Sequence, residues 1–238
     1  MNYVLIHGAW HRGELFEAVA APLRDAGHNV FLPTLLGNAI NAPRDVGLEA
    51  VIDDVIKYFE SKNLEDAVVV GHSYAGMILT ALADKIPTRI RRLVYWTAFV
   101  PNNGECLTDL VPPHYVAMFD SLKQGDGGVS LPFPVWREAF INDASLELAE
   151  SAYKKLEPHP YKTFTDPVSL SKPLAEIDLP KSYINCTEDT ALPHSHPWHP
   201  RLSERLGLFR LVQTPGSHEL CFTDPASLAA AILLAGRD

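Results

Sequence analysis

The chain has 238 residues, 47% of them hydrophobic and 21% charged, which is enough length and apolar content for one globular domain with a substantial core. With 20 Lys and Arg against 29 Asp and Glu, its formal charge is -9, which argues against a sequence-independent grip on nucleic acid or anionic lipid. The composition excludes disorder and collagen, and no run approaches the roughly 18 consecutive apolar residues of a membrane span.

Val4-Leu5-Ile6 predicts a first strand ending at Gly8, and Leu15, Phe16, Val19, Ala20 and Leu23 fall on one helical face stopped by Gly27. Asn29 to Leu32 reads as a second strand, and Leu48, Val51, Ile52, Val55, Ile56 and Phe59 form a second helical stripe. Ala67-Val68-Val69-Val70 is apolar on both faces, as a central parallel strand requires. A third helix begins with Met77, Ile78, Ala81 and Leu82, and Leu93-Val94-Tyr95-Trp96 is a fourth strand. Strand and helix alternate, so the class is α/β with a mainly parallel sheet of about six strands, helices on both faces and right-handed crossovers.

Between Pro101 and Pro180 the rhythm fails, and ten of the 19 prolines lie there. Short helices are expected around Trp136–Ile141 and Leu146–Leu156. The segment reads as an inserted helical cap over 101–180, on a core formed by 1–100 and 181–238. Alternation resumes with a strand at Ser182–Cys186, a short helix at Leu202–Leu206 and a strand at Phe209–Val212. Asp224-Pro225 then opens a terminal helix as N-cap and first-turn proline.

Gly71-His72-Ser73-Tyr74-Ala75-Gly76 sits between the buried strand and a helix, where a nucleophile elbow would expose the Ser73 hydroxyl. Such a turn wants small residues at 71 and 75. A base and an orienting acid should follow in chain order. The loop Cys186-Thr187-Glu188-Asp189 and the loop Thr214-Pro215-Gly216-Ser217-His218 both follow predicted strands, so both emerge at the same sheet edge as the elbow. His218 is the expected base, with Glu188 and Asp189 as rival acids of which one can meet it. The backbone N–H groups of Ala9, in His7-Gly8-Ala9-Trp10-His11, and of Tyr74 are the expected oxyanion donors.

These four motifs resemble those of the α/β-hydrolase superfamily. In particular they are similar to the branch of plant methyl-ester esterases (salicylate and jasmonate methyl esterases), hydroxynitrile lyases and related bacterial esterases. The resemblance runs nearly end to end and is weakest in the cap. It implies an α/β-hydrolase fold, a Ser73, Asp189 and His218 triad with Asp189 preferred over Glu188, and Trp198 over the pocket. The aromatic-rich stretch usual after the first motif is here Arg12-Gly13-Glu14-Leu15. The family's lyases carry a threonine and a lysine where this chain has Gly8 and Glu219, and the Glu219 charge would oppose a departing cyanide.

The expected activity is therefore that of a cofactor-independent serine carboxylesterase acting on a small, largely apolar ester. The rival readings are a hydroxynitrile-lyase-type lyase, a cofactor-free oxygenase and a non-catalytic ligand binder. Pocket walls are expected from Trp10, His11, Phe99, Phe119, Phe133, Trp136 and Trp198. No cofactor is expected and no metal, because the run from His194 to His199 lacks an intervening carboxylate. Cys221 lacks an elbow and is not expected to be a nucleophile. The three cysteines are too far apart for a disulfide framework and the N-terminus is no secretory signal, so a cytoplasmic protein is expected. The expected partner is a small-molecule ester, with neither nucleic acid nor membrane, and a homodimer is compatible with the sequence.

Overall fold

The structure is a computed structural model describing residues 1–237. Among these residues, one sheet contains β1 (Asn2–Ile6), β2 (Asn29–Phe31), β3 (Ala67–His72) and β4 (Ile90–Trp96). A long excursion then holds a two-stranded antiparallel ribbon of β5 (Gly128–Val129) and β6 (His159–Pro160), before β7 (Lys181–Cys186) and β8 (Arg210–Thr214) complete the sheet. The order is β2-β1-β3-β4-β7-β8, and every neighbouring pair is parallel.

Alternate residues of each strand feed two separate apolar layers, the consequence of the two-residue side-chain period. Val4, Ile6, Val69, Leu93 and Tyr95 pack beneath α2 (Leu48–Ser61) and α3 (Ala75–Lys85). Tyr3, Leu5, Val68, Val70, Val94 and Trp96 face α1 (Glu17–Asp25) and the C-terminal helix. All six residues of β3 are buried, which is why its sequence shows no polar alternation.

The excursion carries α4 (Pro113–Leu122), α5 (Phe133–Val135) running into a π turn at Trp136–Phe140, α6 (Leu146–Tyr153) and α7 (Lys162–Thr165). The helix α4 and the ribbon were missed in the sequence, because each lies among prolines and the ribbon strands are only two residues long. Leu107, Tyr115, Phe119, Phe140 and Phe164 from this segment join the apolar layer of α2 and α3, so it shares the core of the sheet. Polar ties reinforce this: Glu157 accepts from Arg12 at 3.0 Å and Arg44 at 3.2 Å, and its N–H donates to the Trp10 carbonyl at 2.8 Å.

The chain closes with α8 (Leu220–Thr223) and α9 (Pro225–Gly236). The Asp224 carboxylate accepts from the Ser227 N–H at 3.0 Å, the cap its sequence predicts.

Candidate active site

Ser73 lies between β3 and α3 with φ +53°, in the left-handed region that non-glycine residues avoid. Such a conformation costs about 1–3 kcal/mol and persists only where surrounding bonds over-determine it. Here the Ser73 N–H donates to the Trp96 carbonyl and the Phe99 N–H donates to the Ser73 carbonyl, both at 3.1 Å. The close backbone approach falls at Gly76, not at Ala75: a Cβ on Gly76 would stand 1.9 Å from the Phe99 carbonyl oxygen. At Gly71 the neighbour is the Leu79 side chain, 2.5 Å from an added Cβ.

The ends of β7 and β8 bring Asp189 and His218 together. His218 Nδ1 and Asp189 Oδ2 are 2.6 Å apart, with both side chains buried, and the other carboxylate oxygen accepts from the Ala191 N–H at 2.8 Å. An ionised carboxylate only accepts, so Nδ1 carries the ring proton and Nε2 is left with its lone pair. Glu188 points into solvent while its N–H donates to the Gly216 carbonyl. Two rings contact His218: Trp198 stacks on it at 5.2 Å between centroids and 15°, and His72 lies tilted at 4.6 Å. Phe140 meets it edge-on at 5.3 Å.

Beside Ser73 opens an apolar cleft. Of the sequence-predicted residues, Ser73, Ala9, Tyr74, Trp10, Phe99, Phe119 and Trp198 line it. Asp189, His218, His11, Phe133 and Trp136 do not, although Trp198 and Phe140 of its wall both touch the His218 ring. His11 is turned to Glu219, Phe133 packs on Tyr153, and Trp136 is fully buried with its indole N–H donating to the Ala149 carbonyl at 3.0 Å. Sequence reasoning missed Tyr115, Phe140 and Phe164, which also line the cleft. The i, i+4 pair Tyr115 and Phe119 on α4 was the available signal. Among the described residues, no charged side chain lines the cleft, and the Tyr115 hydroxyl donates to the Ala191 carbonyl at 2.8 Å.

Glu219 is 1% exposed and pairs with His11 Nε2 at 2.9 Å. It does not line the cleft and His11 faces its carboxylate, so Glu219 is not the bare charge beside the leaving group that the sequence suggested. The histidines of the 194–199 run do not line the cleft, in contrast to Trp198 among them: His196 meets Ser195 and His199 meets Ser203. Among the described residues, His11, Glu219 and Cys221 gather three ligand-type atoms within 4.8 Å, as do His72, His218 and Glu219. Within the first group, the His11–Glu219 bond and a 3.7 Å contact from the Cys221 thiol to Glu219 engage all three side chains.

Three other histidines are buried neutral. Burial lowers His7 to about 3, against support from its bond to the Gly8 carbonyl, and drives His72 and His159 well below the ordinary range. An unfolded chain protonates these rings near pH 6.5, so stability falls as pH drops below that value. Burial opposes charge on His11 as well, but Glu219 raises its proton affinity overall, so its contribution is complete below pH 6.5, is lost as pH rises above that value, and offsets only part of the acid effect. We expect about 4 kcal/mol less stability at pH 5.5 than at 7.5 from the three rings, read as a fall in the urea midpoint. A midpoint independent of pH across that interval would contradict the neutral assignment.

The alpha/beta hydrolase family matches residues 3–231. With this match, a parallel six-stranded sheet and a serine elbow, the chain belongs to the alpha/beta hydrolase family. A carbendazim hydrolyzing esterase of Nocardioides sp. (strain SG-4G) is 47% identical over 114 residues, 47% of each chain. Methylesterase 2 of Arabidopsis thaliana is 24% identical over 219 residues, covering 82% of this chain and 81% of its own. A solved structure, described as an extracellular alpha/beta-hydrolase from Paenibacillus species with structural and functional homology to tobacco salicylic acid binding protein 2, superposes with a TM-score of 0.96. It is 34% identical, with 100% of both chains covered. The chain is thus similar to ester-hydrolysing enzymes of the branch its motifs resemble.

Proposed function

We propose that this hydrolase is a cofactor-independent serine carboxylesterase for small, largely apolar esters, with Ser73, His218 and Asp189 as its triad. The observation that carries the reading is the buried His218–Asp189 pair, in which Nε2 keeps its lone pair, together with Ser73 on a strained elbow at an uncharged cleft. Ser73 Oγ attacks the ester carbonyl as His218 Nε2 takes its proton. The N–H groups of Ala9 and Tyr74 hold the oxyanion, and Asp189 stabilises the imidazolium. His218 then protonates the departing alkoxide, and water, deprotonated by the same nitrogen, releases the acid from the acyl-serine. Relatives named for carbendazim and methyl esters support ester cleavage as the reaction.

Against the lyase reading stand the uncharged cleft, which offers a cyanide anion no counter-charge, and Gly8. An added Cβ on Gly8 would stand 2.8 Å from His72 Nδ1 and 3.2 Å from Ser73 Cβ, so a threonine there requires a rearranged elbow.

A panel of p-nitrophenyl esters of graded chain length, run beside mandelonitrile and acetone cyanohydrin, tests the assignment. Ester hydrolysis without cyanide release is expected, and cyanide release at a comparable rate would overturn it. In the same panel Phe119→Ala should shift preference toward longer acyl chains, because it widens the cleft wall supplied by 101–180. Trp136→Ala should cost about 3–5 kcal/mol of stability with preference unchanged, since its ring lies behind that wall. Identical specificity in the wild type and Phe119→Ala would remove the segment from substrate selection.

A further inference from the structure

His11 and Glu219 are both 1% exposed, neither lines the cleft, and they meet at 2.9 Å between the first strand's loop and the residue after His218. The other His11 nitrogen, Nδ1, lies 2.7 Å from the Ala9 carbonyl oxygen. A carbonyl only accepts, so Nδ1 carries a proton. With Glu219 as a carboxylate, which only accepts, Nε2 donates as well, and the pair is imidazolium and carboxylate. Burial disfavours charge on His11, but the Glu219 carboxylate and its hydrogen bond overcome that cost. The ring is held by Phe222, stacked at 5.8 Å and 29°, and by His72, perpendicular at 5.8 Å.

The bond from His11 to Ala9 spans Trp10, whose φ of +65° puts a bulky residue in the left-handed region. A strained turn of this kind needs fixing from outside. We infer that His11 and Glu219 are positioning residues: as a buried ion pair they brace the Ala9–Trp10 turn against the loop that carries His218, holding the Ala9 N–H at the distance from Ser73 that the oxyanion requires. The pair thereby sets the register between the donor and the base, which come from opposite ends of the chain. The inference rests on the esterase reading for what the turn binds, while the ion pair itself does not depend on turnover.

In the intact chain, His11→Leu and Glu219→Leu should each lower kcat by about 10- to 100-fold and change KM less than about threefold. A displaced donor weakens transition-state stabilisation and leaves apolar substrate binding alone. Glu219→Gln should recover most of the rate, because its carboxamide can donate to a neutral His11 Nε2 and leave the Nδ1–H on Ala9. His11→Leu alone strands a buried carboxylate and Glu219→Leu alone leaves the buried His11 Nε2 without a partner, so the double variant His11→Leu/Glu219→Leu, which removes both partners and should fold, is decisive. Its thermal midpoint should lie near the wild-type value while kcat stays low. Wild-type kcat in the folded double variant would overturn the inference, as would a Glu219→Gln chain as slow as Glu219→Leu. Nitrogen-edited proton spectra at pH 7.5 should show two ring N–H signals for His11, assigned by their loss in His11→Leu. A ring with a single N–H would overturn the ion pair. A wild-type chain that cleaves no ester of the panel would overturn the esterase reading instead, and the ring-proton spectrum would then decide the ion pair alone.

Discussion

Asp189→Asn is expected to reduce kcat by about 10⁴-fold, the size of the equivalent loss in serine proteases. The two oxygens of Asp189 have separate duties, one accepting from the Ala191 N–H at 2.8 Å and the other from His218 Nδ1 at 2.6 Å. An asparagine keeps its oxygen on the Ala191 N–H and turns its NH₂ toward His218. Nδ1 must then accept, the ring proton moves to Nε2, and the base can no longer take the Ser73 proton. Glu188→Gln, one residue away and exposed, should change kcat less than about twofold, within the range of an ordinary surface substitution. Steady-state rates of the two variants on one activated ester decide the matter, and the reverse ranking would reassign the acid.

Ser73→Ala should lower kcat by about 10³-fold or more, with the residual rate supplied by the oxyanion donors and substrate binding. Neither buried thiol is available to compensate. Cys221 and Cys186 are buried outside the cleft, and burial pushes both thiols above their ordinary range, so neither supplies a thiolate near neutral pH. A serine-directed phosphonate should add its mass to the wild-type peptide containing Ser73 and to no peptide of the alanine variant. Full activity in Ser73→Ala, or labelling of another residue, would displace the proposed mechanism.

The structure also separates residues that the sequence grouped together. Trp136 and Phe119 both look like cap aromatics over a pocket, yet only Phe119 lines the cleft. The difference is the π turn at Trp136–Phe140, which points Phe140 at His218 and leaves the Trp136 indole bonded to α6. No local pattern announces such a turn, because it is stabilised by what packs around it. Glu219 is a similar case. Its position after the catalytic histidine was legible, but the charge was read as bare, and its neutralising partner His11 lies 208 positions away in the chain.

Periodicity and chain order sufficed for the sheet and for the triad's candidate residues. Strand runs buried on both faces, helical stripes between them and loops after the strands follow from local sequence, and parallel topology carries all those loops to one edge. The four motifs could therefore be assigned to one sheet edge: Ala9, Ser73 and Tyr74 of the first two line the cleft, and the Asp189–His218 pair of the other two adjoins it through Trp198 and Phe140. Only the tertiary structure decided which acid meets His218, which glycine admits the Phe99 backbone, which aromatics wall the cleft, and that His11 faces Glu219. Each of these depends on side-chain direction at contacts between segments far apart in sequence. Spacing rules fix side-chain direction within a helix or strand, and these contacts are made in loops and turns, where direction is set by the neighbours that pack against them.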